Sequence, residues 1–149
     1  MCLGAQLIAN VMGSRVYLNR EKEIGWFQIE GLPHRDAEAF RFPEAATVLH
    51  WHGETFELPY GAVLLARSEA CAHQAFQLGK NVIGLQFHLE ATPRLLQEFI
   101  ESAGGDLTPA PYVQSAQTIL AADTQRLDHA RALMAAVLDY LHGRATNAN

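Results

Sequence analysis

The order of elements in the sequence predicts an α/β sandwich with an antiparallel extension. One apolar helix comes first, a block of short strands follows, and two helices come last. Turn-forming residues separate the strands, as at Pro59-Tyr60-Gly61. A chain of 149 residues suits one domain with a core of its own, and the apolar fraction of 49% is that of a globular protein.

Six short runs rich in β-branched and aromatic residues predict the strands. The runs are residues 16–18, 24–29, 47–51, 62–66, 73–77 and 82–88. Before them, residues 4–12 predict a helix that ends at Gly13. Because this helix is apolar on nearly every side, we expect it to be buried.

Two further helices are predicted after the strands. Thr92 can cap the first of them, with Pro93 at its first helical position and a pair of glycines at its end. Its apolar stripe consists of Leu95, Leu96, Phe99 and Ile100. Residues 106–112 contain two prolines and predict a loop, residues 123–142 predict the last helix, and we expect residues 145–149 to fray.

The charge pattern excludes several classes of function. The net charge is -5 and the sequence pI is about 5.7. Lysine and arginine are scattered, so we expect no nucleic-acid partner and no binding to an anionic membrane. No apolar run reaches the roughly 18 residues of a membrane span, and no signal peptide is recognisable. These observations predict a cytoplasmic protein.

Two cysteines, Cys2 and Cys71, are too few for a disulfide scaffold, and neither lies in a zinc motif. We therefore expect no metal and no cofactor. Cys2 directly precedes the first predicted helix, where unpaired N–H groups and the helix dipole stabilise a thiolate. The N–H of Leu3 would point to a developing oxyanion. A cysteine near a helix start is more commonly a packing residue, so this position alone decides little.

A second chemical motif lies at the end of the last predicted strand. His88 ends the run at residues 82–88, and Glu90 follows two residues later. Residues i and i+2 of a strand face the same side, so Glu90 can hydrogen-bond one imidazole nitrogen. The other nitrogen is then free to take a proton from a thiol. An isolated pair of this kind is more often a strand-end histidine beside a solvated glutamate.

Together the two motifs resemble those of the class I, or triad-type, glutamine amidotransferases. That family has its nucleophile in G-x-C-x-G-x-Q and its base in F-H-P-E. The matching residues are Cys2, Gly4 and Gln6, then Phe87, His88 and Glu90. Residues 23–26 (EIGW), 49–59 (LHWHGETFELP) and 66–76 (ARSEACAHQAF) resemble further family segments in the same order.

The resemblance runs from residue 2 to about residue 102 and is strongest to stand-alone members related to the amidotransferase domain of GMP synthase. It implies a flavodoxin-like three-layer α/β/α sandwich. The family's nucleophile follows a buried strand and a glycine, whereas Met1 directly precedes Cys2. We therefore expect residues 1–149 to be the C-terminal portion of such a domain, family-like over 1–104, with a loop and a C-terminal helix over 105–149.

The resemblance also implies a mechanism. Cys2 would attack the side-chain amide carbon of glutamine, while His88, oriented by Glu90, would protonate the leaving ammonia and then activate water. The substrate-binding groups would be Leu3, Gln6, Trp51, Gly53 and Glu54. Glutamine would be the substrate, and an ammonia-accepting synthetase would be the partner.

Three alternatives stay open. A truncated chain could be a non-catalytic remnant that forms a homodimer through an exposed sheet edge. A class II amidotransferase uses an N-terminal cysteine, which removal of Met1 would expose, but His88 would then have no role. A cupin-like metal site would use His50 and His52, with Glu57 and His88 as further ligands.

Overall fold

The computed structural model describes residues 1–143, and the predicted frayed tail at residues 145–149 lies outside the described residues. Five strands form one sheet in the order β2-β1-β3-β4-β5, and each pairs with its neighbour in antiparallel orientation. The strands are β1 Val16–Gly31, β2 Ala45–Phe56, β3 Val63–Ser68, β4 Ala75–Leu78 and β5 Val82–Leu85.

Strand β1 is longer than predicted. Residues 16–18 and 24–29 were expected to form two strands, but both lie in β1 and pair with β2. The pairing shifts between Leu18 and Glu23, where four polar residues interrupt the apolar pattern. A bulge accommodates the extra residues without ending the strand, which a pattern of apolar residues alone does not reveal.

The sheet curls until its two ends meet. Beyond β5 the chain bends at Gln86 and Phe87, and the N–H of Gln86 donates to the carbonyl of Gln74 at 2.8 Å. Two residues later the N–H of His88 donates to the carbonyl of Leu49 in β2, also at 2.8 Å, and forms an isolated antiparallel bridge. The predicted strand at residues 82–88 therefore spans both edges of the curled sheet.

Helix α1, Leu3–Val11, packs beside β5 through its small residues. Ala5 and Ala9 are fully buried against a cluster that includes Phe56 and Phe76. The expectation of a fully buried helix is wrong for the described residues, because the opposite face is exposed. On that face Leu3, Leu7 and Val11 are 63%, 56% and 84% exposed. Small side chains let one face approach the sheet, while apolar composition alone does not show what covers the other.

The remaining helices follow the sheet. They are α2 Pro93–Ala103, a single 3-10 turn at Gly104–Asp106, α3 Ala116–Leu120 and α4 Thr124–Leu141. The Thr92 hydroxyl accepts a hydrogen bond from Leu95 N–H and caps α2 as predicted. Helix α3 was not predicted, since five residues are too few to show a helical period. Among residues 1–143, no helix is both long and apolar enough to cross a membrane.

Helices α2 and α4 cover different parts of the sheet. Leu96 of α2 joins a buried cluster with Ile24 and Leu49, and Ala130 and Val137 of α4 join the main cluster around the sheet. Burial of this apolar surface is the main term that favours the folded chain.

Gly84 in β5 provides a test of this packing. A Cβ atom at Gly84 would lie 2.3 Å from the Phe76 ring, so we expect Gly84→Ala to lower the free energy of unfolding by about 1–3 kcal/mol. Urea unfolding followed by circular dichroism measures this change. Gly105→Ala is the matched control, because no atom lies within 4 Å of the added carbon. Equal stability of the two variants would contradict the prediction.

Candidate active site

Cys2 has an unusual backbone conformation. Its φ is 46° and its ψ is -110°, and it is the one non-glycine residue with positive φ in the described part of the chain. L-residues rarely adopt this region, and strained backbone of this kind is common at functional sites. The Cys2 N–H donates to Leu85 carbonyl at 2.7 Å, and the Cys2 carbonyl accepts from the N–H groups of Ala5 and Gln6. These bonds hold the strained residue against the end of β5.

The Cys2 sulfur points toward the curled sheet rather than into solvent. It lies 3.7 Å from the carbonyl oxygen of Trp51 in β2. The side chain of Leu3 is exposed, but its N–H belongs to the first turn of α1 and has no acceptor within the helix. This N–H is available to a ligand oxygen beside the sulfur.

His88 and Glu90 are in contact, as the sequence predicts. The Nδ1 atom of His88 lies 2.7 Å from Glu90 Oε1. Burial lowers the pKa of His88, but hydrogen bonding to Cys2 and Glu90 outweighs burial and raises that pKa to about 9. Burial raises the pKa of Glu90, yet the hydrogen bond to His88 outweighs it and leaves the value below the usual range. At neutral pH the site therefore holds an imidazolium between a carboxylate and the Cys2 sulfur.

An aromatic ring packs against His88. The ring of Phe99 in α2 packs edge-on against His88, with centroids 5.3 Å apart, and against Trp51, with centroids 5.2 Å apart. A cavity of about 110 Å³ opens beside Trp51. Its lining residues are Lys22, Ile24, Trp51, His52, Gly53 and Asp106.

The other predicted substrate residues also lie close by. The side chain of Gln6 is buried, and its Nε2 donates to the carbonyl of Glu54 at 3.4 Å. The carboxylate of Glu54 is exposed, so Glu54 faces the site through its backbone. Gly53 lines the small cavity. The structure thus brings every predicted site residue to one region, with Leu3 and Glu54 present through backbone groups.

The sequence interpretation missed Gln86 and Phe99. Gln86 is fully buried, and its Nε2 lies 3.6 Å from Cys2 Sγ. The signal for Gln86 was weak, since it consisted only of a position two residues before His88 in the predicted strand. Phe99 gave no such signal, since its place in an apolar helix stripe predicts only packing.

A second polar cluster lies under the site. The Oε2 atom of Glu23 lies 3.5 Å from His50 Nδ1 and 3.4 Å from His52 Nε2, and all three side chains are buried. Burial lowers the pKa of His50 to about 4, so His50 is neutral at neutral pH. Glu23 also accepts hydrogen bonds from the side chains of Ser68 and Gln74.

The predicted cupin-like metal set is not assembled. Glu57 pairs with Arg15 at 2.6 Å, and His88 pairs with Glu90, so neither joins His50 and His52. Within residues 1–143, the histidine and carboxylate atoms that could share a metal ion belong to the buried cluster of Glu23, His50 and His52. The glutamate in that cluster already accepts hydrogen bonds from two protein side chains.

Cys71 is a packed thiol. It is 2% exposed, and its Sγ lies 3.2 Å from the hydroxyl of Thr55. Burial raises the pKa of the Cys71 thiol. The thiol of Cys2, in contrast, is only half-buried.

Comparison with known proteins agrees with this geometry. The family model for class I glutamine amidotransferases matches residues 1–104, which include Cys2, His88 and Glu90. The chain belongs to this family.

Its amidotransferase relatives are longer than the chain itself. The chain is 38% identical over 114 residues to the glutamine amidotransferase-like protein YfeJ of Salmonella typhimurium, covering 74% of the chain and 47% of that protein. It is 40% identical over 93 residues to a glutamine-hydrolysing GMP synthase subunit of Thermococcus kodakarensis, covering 60% of the chain and 48% of that protein. The chain thus spans about half the length of these curated relatives.

Solved amidotransferase structures share the fold. A glutamine amidotransferase from Methylobacillus flagellatus superimposes with a TM-score of 0.88 at 29% identity, covering 99% of this chain and 63% of that one. A glutamine amidotransferase from Thermotoga maritima gives a TM-score of 0.79 at 31% identity, covering 94% of this chain and 60% of that one. The predicted family and the predicted α/β fold class are confirmed.

The raised pKa of His88 predicts that the stability of this chain depends on pH. The ordinary histidine pKa is 6.5 and the folded value is about 9, so protonation of His88 stabilises the fold below about pH 6.5, and this contribution is lost as the pH rises through about 9. Glu90→Gln removes the carboxylate, so we expect the His88 pKa to fall toward 6.5. NMR signals of the His88 imidazole, followed against pH, measure its titration midpoint in the unmodified chain and in Glu90→Gln.

Glu57→Gln is the control for the NMR titration. It removes a carboxylate that pairs with Arg15 at the surface, so the His88 midpoint should stay where it is in the unmodified chain. An unchanged midpoint in Glu90→Gln would show that the carboxylate does not hold the proton on His88.

Proposed function

We propose that this chain hydrolyses the side-chain amide of glutamine and releases ammonia and glutamate. The observation that carries the proposal is the contact chain from Cys2 to His88 to Glu90, with Cys2 held in a strained conformation at the start of α1. A sulfur nucleophile beside a protonated imidazole, with a carboxylate behind it, is the arrangement that covalent amide hydrolysis needs.

The steps follow from these positions. The Cys2 thiolate attacks the amide carbon of glutamine and forms a tetrahedral intermediate, whose oxyanion accepts a hydrogen bond from Leu3 N–H. His88 gives its proton to the leaving nitrogen, so ammonia departs and a γ-glutamyl thioester remains. His88, now neutral, takes a proton from water, which attacks the thioester and frees glutamate and Cys2. Glu90 holds His88 in one orientation through both steps.

We assign substrate binding to Gln6, Trp51, Gly53 and Glu54. Trp51 and Gly53 line the small cavity, and the Glu54 backbone and Gln6 lie along the adjoining part of β2.

We also propose that residues 105–149 complete the same domain rather than form another. In support, Gln114 N–H donates to Ile24 carbonyl at 2.9 Å, and Ile24 N–H donates to Tyr112 carbonyl at 2.9 Å. These bonds attach the loop before α3 to Ile24 of β1, which belongs to the family-like segment at residues 23–26.

The partner we propose is a synthetase, either a domain or a separate chain, that accepts the ammonia. Relatives of this chain are named as glutamine-hydrolysing GMP synthases, and one of them is named as a subunit of such a synthase. A homodimer stays a prediction. The alternative to all of these proposals is a non-catalytic remnant, which keeps the fold without the reaction.

A glutaminase assay on the chain tests the proposal. We expect ammonia release from glutamine, with none above background in Cys2→Ser, since the oxygen nucleophile lacks the acidity of a thiol. Ammonia release no greater than that of Cys2→Ser would favour the remnant. His88→Ala should lower the rate by about 10²–10⁴-fold, the usual contribution of general acid–base catalysis.

Covalent labelling gives a second and faster measurement. A diazo ketone analogue of glutamine should attach to Cys2 and leave the buried Cys71 unmodified, as read by peptide mass spectrometry. Labelling of both thiols at equal rates would contradict a selective site at Cys2.

A further inference from the structure

The carboxamide of Gln86 lies between the nucleophile and Gln6. Its Nε2 is 3.6 Å from Cys2 Sγ, and its Oε1 is 3.3 Å from Gln6 Nε2. Gln86 is fully buried, and its backbone N–H is fixed by the carbonyl of Gln74. This side chain therefore has little freedom to leave the sulfur.

The direction of these contacts is set by a backbone carbonyl. Gln6 Nε2 also lies 3.4 Å from the carbonyl oxygen of Glu54, and a carbonyl can only accept. The amino group of Gln6 must therefore face Glu54, and its second hydrogen reaches Gln86 Oε1. With its oxygen so engaged, Gln86 turns its own amino group to the sulfur. The Glu54 carbonyl thus determines which end of each amide is the amino group, for Gln6 directly and for Gln86 through Gln6.

A donor at this position favours the charged form of the sulfur. An N–H group stabilises a thiolate more than a thiol, because a hydrogen bond to an ionised acceptor is roughly twice as strong as one between neutral groups. The effect is larger where water is excluded. Trp51 carbonyl, which can accept from a thiol but not from a thiolate, acts in the opposite sense.

We propose that Gln86 is a catalytic residue that donates a hydrogen bond to the Cys2 thiolate, and that Gln6 is the positioning residue that orients it. The proposal deepens the proposed function, on which its catalytic meaning rests. Gln6 thereby has a role besides substrate binding, because its amino group donates to the Glu54 carbonyl and to Gln86 Oε1 and so orients Gln86. Glutamine as a neutral donor adds no second positive charge beside protonated His88.

The pH dependence of Cys2 alkylation tests the donor directly. Iodoacetamide reacts with the thiolate, and peptide mass spectrometry separates Cys2 from Cys71. Gln86→Met keeps the shape and removes the N–H, so we expect the midpoint of alkylation to rise by about one pH unit, as the loss of one hydrogen bond to a charged group implies. Gln86→Glu replaces the donor with a carboxylate, and the midpoint should rise further.

Gln77→Met is the matched control. Gln77 is a buried glutamine in β4 that contacts Gly79 carbonyl and the Tyr140 hydroxyl, away from Cys2. Its substitution removes comparable hydrogen bonds from the interior, so the midpoint should not move. A shift in Gln77→Met equal to that in Gln86→Met would show a general loss of packing and overturn the proposal.

Gln6→Met tests the positioning step. Without Gln6 the amide of Gln86 is no longer held in one orientation, so the midpoint should rise by less than in Gln86→Met. The double variant should match Gln86→Met alone, because both changes break one chain of contacts. Additive shifts would show that Gln6 acts on the sulfur independently. No glutamine is present in this experiment, so loss of substrate binding cannot produce the effect.

A measurement on the unmodified chain avoids variants that fail to fold. The side-chain amino protons of Gln86 should shift in NMR spectra with the same pH midpoint as Cys2 alkylation, and should shift again when Cys2 is alkylated. Resonances that ignore both changes would overturn the proposal. Coupled resonances in a chain that releases no ammonia would refute the proposed function and leave the role of Gln86 at the sulfur intact.

Discussion

The backbone hydrogen bond from His88 to Leu49 closes the curled sheet, and the geometry of the site depends on it. It joins the end of the last strand to the second strand, so the segment that carries His88 and Glu90 runs beside the segment that carries Trp51. A second backbone bond, from the N–H of Cys2 to the carbonyl of Leu85, attaches Cys2 to the end of β5, directly before that segment. Three segments that are distant in sequence thus meet through two short hydrogen bonds. Apolar packing favours the compact chain, and these directional bonds set where the reactive groups stand within it.

The ionisable side chains near the site form two groups, one around His88 and one around the buried Glu23. In the first group, hydrogen bonds to Cys2 and Glu90 raise the pKa of His88. In the second group, Glu23 accepts hydrogen bonds from the neutral side chains of Ser68 and Gln74 and lies beside His50 and His52. One backbone acceptor links the two groups, because the Glu54 carbonyl accepts hydrogen bonds from both His52 Nδ1 and Gln6 Nε2. The buried cluster therefore contributes to the site by fixing the strand that carries this carbonyl, without contacting the sulfur.

Local features were predictable from the sequence, and long-range ones were not. The cap at Thr92 and the helix after it depend on neighbouring residues, so the pattern was sufficient. The bulge after Leu18 and the short helix α3 carry too little periodic signal to be seen. Resemblance to a family, rather than spacing, brought Cys2 and His88 together in the prediction. Gln86 was missed because a lone glutamine in a predicted apolar strand has no distinctive chemistry until its neighbours are known. The exposed face of α1 was also not predicted, since apolar composition does not show whether another part of the protein covers a helix face.

The backbone conformation of Cys2 restricts which side chains can stand at position 2. A φ of 46° with a ψ of -110° is costly for any side chain and most costly for a β-branched one. Serine can occupy the position with the same strain as cysteine, whereas threonine adds a methyl group where the backbone leaves least room. Glycine would relax the strain and stabilise the fold while abolishing the thiol. Stability alone would therefore favour glycine at position 2, whereas the proposed reaction requires the cysteine.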